Sequence, residues 1–448
     1  VNAYWPAWAN QRRIDKRMVE PLFEFLNRDC RCISTDSAAL DRETQRVLGE
    51  HGITLPPWAN SPVFASVPVF VSPEHIRAMG EIVTAVGLLA RSSSYRSSVL
   101  DRAPAIAHHP VAQRSVFFGY DFHLGDDGPA LIEINTNAGG AMLNLLLARS
   151  QRKCCDEVKQ FVASGNRLES LEAEFVRMFQ EEWALARSGE PLRTIAIVDD
   201  DPRSQFLYPE FVLFRELFRQ AGLEATICAP EQLRFESTGL YCEERRIDLV
   251  YNRLVDFYFE EPRHAALRDA YLADAVVITP HPGAHALYAD KRNLSTLREV
   301  ERHARAGLSA RQSAVLVSHI PETRLVGRGD AERWWTERKH WFFKPIHGYG
   351  GKAAYRGDKL TRSTFERILE QDYVAQRIVA PSQRHVEVQG AVIPLKLDVR
   401  CFVYDGKIQL VAARLYNGQT TNFRTLGGGF APVFTRIGPE LDSPRAEP

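Results

Sequence analysis

Three groups of residues in this 448-residue chain have side chains suited to chemistry. The first is Asp121, Glu133 and Asn135. Two carboxylates and an amide oxygen are hard donors, suited to magnesium held between protein and phosphates. Thr136-Asn137-Ala138-Gly139-Gly140 follows at once, and its glycines let backbone approach a ligand closely. The second group is Lys344-Pro345 and then His347-Gly348-Tyr349-Gly350-Gly351. An apolar run delivers a lysine into a glycine-rich turn, whose N–H groups can cradle phosphate oxygens. The spacing is not that of a Walker loop, because GxxxxGK[ST] is absent. The third group is Lys291 with Arg400 and Arg414, cations able to stand near a transferring phosphoryl group. Each group also has a plainer reading: a solvated polar strand face, an ordinary hairpin turn, and charged strand residues facing water.

The elements that must position these residues are legible to different degrees. Residues 115–120 read as a strand leading to Asp121, with a turn at Gly125–Pro129 and a second strand at Ala130–Asn135. Side chains alternate along a strand, so Glu133 and Asn135 share a face, with Ile132 and Ile134 opposite. Residues 193–285 alternate between strand and helix. Strands at Thr194–Val198, Ala225–Cys228, Ile247–Tyr251 and Ala275–Thr279 enclose a helix bearing Phe211, Phe214 and Phe218, and predict a parallel sheet covered by helices. No GxGxxG follows the first of these strands, which disfavours a dinucleotide site. A helix is expected at Asp290–Asn293, a strand at Tyr373–Val379, and a long hairpin of Leu397–Tyr404 and Lys407–Leu415 turning at Asp405-Gly406. Residues 151–190 read as a charged helical connector. The first 110 residues are broken by Pro56-Pro57-Trp58 and Ser61-Pro62. They hold one amphipathic helix, N-capped at Ser72 with Pro73 at N1, whose stripe of Ile76, Met79, Val83, Val86 and Ala90 is core packing.

Composition narrows the class. Lys+Arg and Asp+Glu both number 56, so no global basic excess exists to bind a nucleic acid. The 45% hydrophobic and 25% charged fractions are ordinary for a soluble globular chain. No run reaches the roughly 18 apolar residues that would span a bilayer. Val1–Arg13 shows no apolar segment behind its charges, so no signal peptide is expected. Seven cysteines without a CxxC pair argue against structural zinc and fit reduced thiols in a cytoplasm. Cys154-Cys155 reads as part of a helix, and the tail from Gly438 as polar and loose.

Taken together, these motifs resemble the ATP-grasp superfamily. The Asp121 and Leu131–Thr136 segments are similar to the metal-binding strands of glutathione synthetases. Lys344–Gly351 is similar to that family's phosphate lysine and flexible glycine loop. Asp372–Arg377 resembles the hinge strand whose backbone reads adenine, which brings in Ala375 and Gln376. Leu397–Arg400 with Arg414, and Asn422–Gly429, resemble later strands and a substrate loop that includes Gly428. The order is rotated, since the Asp…Glu-x-Asn hairpin precedes everything else, as in eukaryotic-type glutathione synthetases. Circular permutation is physically cheap where old termini adjoin and new ones fall in loops.

The resemblance implies an α/β and α+β multidomain chain: a circularly permuted ATP-grasp fold with an inserted small parallel-sheet α/β domain. Its segments are a mainly helical region at 1–110, the metal-binding hairpin at 111–150, and a connector at 151–192. A substrate-binding α/β domain at 193–285, the ATP-binding lobes at 286–436 and a flexible tail at 437–448 complete it. The implied activity is ATP- and Mg²⁺-dependent ligation of a carboxylate to an amine through an acyl phosphate. The alternatives are a kinase-like phosphotransferase and a non-catalytic nucleotide-binding module. Asp121, Glu133 and Asn135 would hold metal; Lys291, Lys344, His347, Gly348, Gly350 and Gly351 would hold phosphates; Arg400 and Arg414 would stabilise the transition state. Arg253 resembles a substrate-carboxylate arginine, with a surface salt bridge as its plainer reading. Gln205 and Asn137 lie where the synthetases contact their dipeptide. The partners would be an amino acid or short peptide and an amine, and the resemblance extends to a homodimer. Two departures set this chain apart: no serines follow Asn135, and Gly348 replaces a metal-binding glutamate, so the resemblance does not carry over glutathione as the product.

Overall fold

The computed structural model describes residues 19–49, 55, 63–125, 127–151, 161–163, 168–348 and 350–436. Cys154-Cys155, the two proline-rich breaks before Val63, Tyr349 and the tail lie outside these residues, as does part of the expected connector.

The largest sheet has eight strands. Its main path runs Val69–Phe70, Gly429–Arg436, Lys407–Tyr416, Ala391–Tyr404, Phe118–Gly125, Gly128–Asn135. Gln383–Val388 and Phe161–Ala163 pair alongside. The hairpin of Phe118–Gly125 and Gly128–Asn135 therefore docks on strands from the far end of the chain, with Asp121 opposite Arg400. The 391–416 hairpin turns at Asp405-Gly406 with φ of 47° and 73°, the left-handed pair that matches strand twist. Helix Pro73–Arg91 starts as expected, with the Ser72 hydroxyl accepting from His75 N at 3.2 Å. It contributes Met79, Val83, Val86 and Ala90 to the apolar layer on one face of this sheet.

Three smaller sheets complete the fold. Val277–Thr279, Leu249–Asn252, Thr194–Val198 and Glu224–Cys228 form an all-parallel sheet. Helix Tyr208–Gln220 covers it through Phe211, Phe214 and Phe218, because strands with two buried faces need helices on them. An antiparallel sheet of Thr323–Leu325, Tyr373–Arg377, Trp341–Pro345 and Tyr355–Arg356 has its own core around Trp334, Trp341 and Phe343. A three-stranded meander spans Leu233–Ile247.

Three local expectations change. The first hairpin strand begins at Phe118 and not at Ser115, because Ser115 and Phe117 adopt positive φ and kink the approach. It also runs on to Gly125, so Asp121 lies within the strand and not at its end. Residues 290–292 form a turn between a π-helical segment, His285–Ala289, and the short helix Asn293–Thr296; Lys291 is held on that turn. Finally, a β-bulge interrupts the hairpin: Asp121 faces Glu133 but Phe122 faces Leu131, leaving Ile132 without a partner. Ile132 consequently shares the side of Glu133 and departs from simple alternation. Among the described residues no helix is long and apolar enough to cross a membrane.

Candidate functional site

A cavity of about 820 Å³ opens between the eight-stranded sheet and the small antiparallel sheet. Asp121, Glu133, Asn135 and Asn137 line it from the early hairpin and its loop, and Arg400 and Arg414 from the late strands. Lys344, Gln376, Gly348, Gly350 and Gly351 line it from the antiparallel sheet and glycine loop, and Lys291 from its turn. Residues more than 200 positions apart thus share one wall. His347 is exposed and Ala375 is buried in the small sheet's core; neither side chain lines the cavity. Arg253, Gln205 and Gly428 do not line it either.

At the centre of the wall, acids grip arginines. Arg400 donates through Nε and Nη2 to both oxygens of Asp121, each at 2.6 Å. Arg414 reaches the same carboxylate through Nη2 at 2.9 Å, and Asp398 through Nε at 2.7 Å. Burial opposes the charge of Asp121, but Arg400 and then Arg414 hold its carboxyl below the ordinary range. Gly119 makes room for this: a Cβ there would stand 3.1 Å from Arg400 Nε and 2.6 Å from the Ala138 methyl. Asp398 is absent from the sequence-derived site, yet it carries the Thr421 hydroxyl as well as Arg414. The signal was available, because residues 398 and 400 share a strand face.

The lysines meet the hairpin from the other side. Lys344 Nζ donates to the Ile132 carbonyl at 2.9 Å and to Gln376 Oε1 at 2.8 Å. The bulge supplies this contact, since it is Ile132 that lacks a register partner. Burial pushes Lys344 down to about 8, with Glu133 opposing the shift and Lys291 adding to it. Lys291 Nζ donates to the Gly348 carbonyl, tying the turn to the glycine loop. Burial opposes ionisation of Glu133, but Lys291 and Lys344 together draw its carboxyl below the usual value.

The metal-binding expectation divides along these contacts. Asn135 Nδ2 donates to Asp121 at 3.1 Å and to Glu133 Oε1 at 3.0 Å, which turns its amide oxygen away from both acids. Glu133 Oε2 and Asn135 Oδ1 keep lone pairs with no partner among the described residues. One carboxylate and one amide oxygen fit Mg²⁺, which takes few protein ligands when phosphates and water supply the rest. Asp121 fits less well: guanidinium and amide donors reach both its oxygens, three of them at Oδ2 and Arg400 Nε at Oδ1. No cluster of three or more His, Cys, Asp or Glu side chains with metal-ligating spacing occurs among the described residues.

The substrate expectations fare differently from the phosphate ones. Arg253 is buried beneath the 137–140 loop, donating to the carbonyls of Asn137 and Ala138 at 3.0 and 3.4 Å and to the Tyr251 hydroxyl. Its charge faces Glu210, a buried acid that accepts from Gly140 N and Met142 N at the start of helix Ala141–Arg149. The protein's own carboxylate therefore fills that helix N-terminus and balances that arginine. Gln205 is turned inward as well, donating to the Asp200 carbonyl at 2.6 Å. Gly428 is packed against the Leu415 carbonyl. Beside these residues the cavity presents Val255 and Phe257, which the sequence reading did not name, and Asn422, Phe423 and Arg424 from the expected substrate loop at Asn422–Gly429.

No protein-family model matches the sequence, and neither does any curated protein. The fold has counterparts among solved structures. The chain is similar to a glutathione synthetase-like effector from Globodera pallida in its apo form, with a TM-score of 0.55 at 12% identity over 90% of this chain and 98% of that one. Two looser matches are a gamma-glutamylcysteine synthetase-like protein from Methylobacillus flagellatus KT and the D-cycloserine synthetase DcsG. The first has a TM-score of 0.45 at 11% identity over 78% and 85% of the two chains. The second has 0.27 at 12% over 56% and 93%. At such identities the likeness speaks to architecture alone. Mixed α/β sheets, aligned over nearly the whole of the effector, give this chain a fold similar to that of the glutathione synthetase-like effector.

Proposed function

We propose that the chain is an ATP- and Mg²⁺-dependent carboxylate–amine ligase working through an acyl phosphate. The observation that carries this reading is the convergence in one cavity of Glu133, Lys291, Lys344 and the glycine loop with the Arg400–Arg414 pair. In this reading the chain is circularly permuted, with the hairpin at 111–150 completing the lobes at 286–436 and the α/β unit at 193–285 as the inserted substrate domain. The eight-stranded order, which sets Phe118–Gly125 beside Ala391–Tyr404, supports it.

The reaction asks for positioning and charge neutralisation and not for a protein nucleophile. A substrate carboxylate oxygen bonds to the γ-phosphorus as the bond to the β,γ-bridging oxygen breaks, and ADP carries away that electron pair. The amine nitrogen then bonds to the acyl carbon, phosphate leaves, and the nitrogen loses a proton. Lys344 and Lys291 neutralise the nucleotide phosphates, and loop 347–351 excludes water. Glu133 and Asn135 would hold Mg²⁺, which when bound neutralises charge on the phosphate oxygens. Arg400 and Arg414 have their Nε and Nη2 groups tied to Asp121 and Asp398, so among the described residues each has Nη1 without a partner and open to developing negative charge.

Hydroxylamine trapping tests the mechanism. With a substrate carboxylate, ATP and Mg²⁺, the ligase forms a hydroxamate in step with ADP release. ADP release with no hydroxamate from any amino acid or short peptide would refute the acyl phosphate and favour a phosphotransferase.

A further inference from the structure

Several donors of the residues expected to read a dipeptide are engaged by the protein itself, although Arg253 Nε is buried without a partner among the described residues. Arg253 is bound by the carbonyls of Asn137 and Ala138, and Gln205 by Asp200. Asn137 Nδ2 donates to the carbonyls of Arg253 and Leu254. Beside them the cavity also presents an apolar face, flanked by Asn422 and Arg424. Phe257 is stacked flat on the buried His285 ring, centroids 3.7 Å apart and planes 9° apart. Thr136 bonds that imidazole at 3.2 Å, and burial pushes it down to about 3, so it backs Phe257 as a neutral ring. Phe423 is stacked on Phe206 at 5.1 Å, joining the 417–428 segment to the 199–207 loop. Phe206 and Val255 remain 46% and 38% exposed.

From this we infer that the carboxylate substrate carries an apolar side chain, aromatic or branched aliphatic, held between Phe257 and Phe423 with Val255 and Phe206 at the rim. The occupant is the reaction's own acid and not a separate ligand, because this wall is continuous with the cavity that holds Lys344 and Arg400. A small polar acid or a γ-glutamyl dipeptide would leave these rings wet. The inference deepens the ligase reading and rests on it for the identity of the reacting group.

Calorimetric titration of the full chain with a non-hydrolysable ATP analogue and Mg²⁺ tests both, separately. L-phenylalanine and L-leucine are expected to bind at least tenfold tighter than glycine, L-glutamate or γ-glutamylcysteine. Phe423→Ser and Val255→Ser should each erase most of that preference while the analogue's affinity stays unchanged, which reports intact folding. Equal binding of all probes, tighter binding of γ-glutamylcysteine, no binding of any probe, or a preference that survives both substitutions would overturn the apolar subsite. Failure of the analogue itself to bind would remove the ligase reading as well.

Discussion

Asp121→Asn separates two roles that one carboxylate could play. Asp121 is 1% exposed, gripped at 2.6 Å on each oxygen by Arg400 and at 2.9 Å by Arg414. Removing one member of a buried pair strands its partner's charge, at a cost of about 3–5 kcal/mol. Arg414 keeps Asp398, so the stranded charge is mainly that of Arg400. The substitution should therefore lower unfolding free energy by that amount in urea denaturation. Arg400→Met should lower it comparably, and the double variant should recover at least about 1 kcal/mol relative to the sum, because the two residues interact directly. Mn²⁺ affinity in the presence of ADP, followed by electron paramagnetic resonance, should stay within about twofold, since Glu133 and Asn135 carry the free oxygen donors. The opposite pattern would refute the reasoning. If stability changed by less than about 0.5 kcal/mol while Mn²⁺ affinity fell tenfold, Asp121 would serve the metal and the arginine clamp would be incidental.

Other consequences follow from neighbouring residues. Glu133→Gln removes the carboxylate assigned to the metal but keeps the shape, so turnover should fall at least 100-fold with an unchanged circular dichroism spectrum; near-normal activity would sink the assignment. Lys344, depressed to about 8 by burial, loses its cation as pH rises through that value, so nucleotide affinity should decline between about pH 7 and 9. The sign for the empty protein is reversed: the unfolded chain holds that proton up to the ordinary lysine value of 10.5, so stability should rise as pH climbs from about 8 toward it. Gly140 has φ +101° and a Cβ there would lie 2.3 Å from Phe430 Cζ, so Gly140→Ala should destabilise by about 2–4 kcal/mol in thermal unfolding. Asp398→Asn weakens the anchor of Thr421, and hydrogen exchange across 417–428 should accelerate with little change elsewhere.

What the sequence disclosed follows the range of the interactions that set each feature. The Asp405-Gly406 turn, the Ser72 cap and the Phe211–Phe218 stripe are decided within a few residues, and the structure has them where the local pattern put them. Glu133, Lys344 and Arg400 were recognisable as one site only through their resemblance to a family, because nothing local says that residues 121 and 400 are strand partners. The bulge at Ile132 was missed for a related reason: Leu131 and Ile132 are both apolar, and nothing local says which of them faces the core. Arg253 was read as an anion ligand from its type, and nothing local said that Glu210, 43 positions earlier inside an apolar helix face, would face its charge. Asp398 was missed although its spacing from Arg400 placed both on one face.

The same contrast explains how a chain with evenly matched charges can build a site for a polyanion. Arg400 and Arg414 are nearly buried, and without acids beside them such cations would be unfavourable in the empty protein. Asp121 and Asp398 offset that cost, and they also fix the guanidinium planes before any ligand arrives. Lys344 has no acid in contact; it rests on the Ile132 carbonyl and the Gln376 amide, and this is why its proton is held loosely. The two kinds of cation are thus prepared differently. The arginines are locked and permanently charged, suited to a transition state whose geometry is fixed. The lysine's charge is raised by the arrival of an anion, so nucleotide binding should take up a proton at pH 8 to 9. Calorimetric titration of the ATP analogue in two buffers of different ionisation enthalpy measures that uptake directly. Up to about one-half proton per site is expected near pH 8 in the unsubstituted chain, and close to none in Lys344→Met; no uptake in either would mean that the lysine is already charged in the empty cavity.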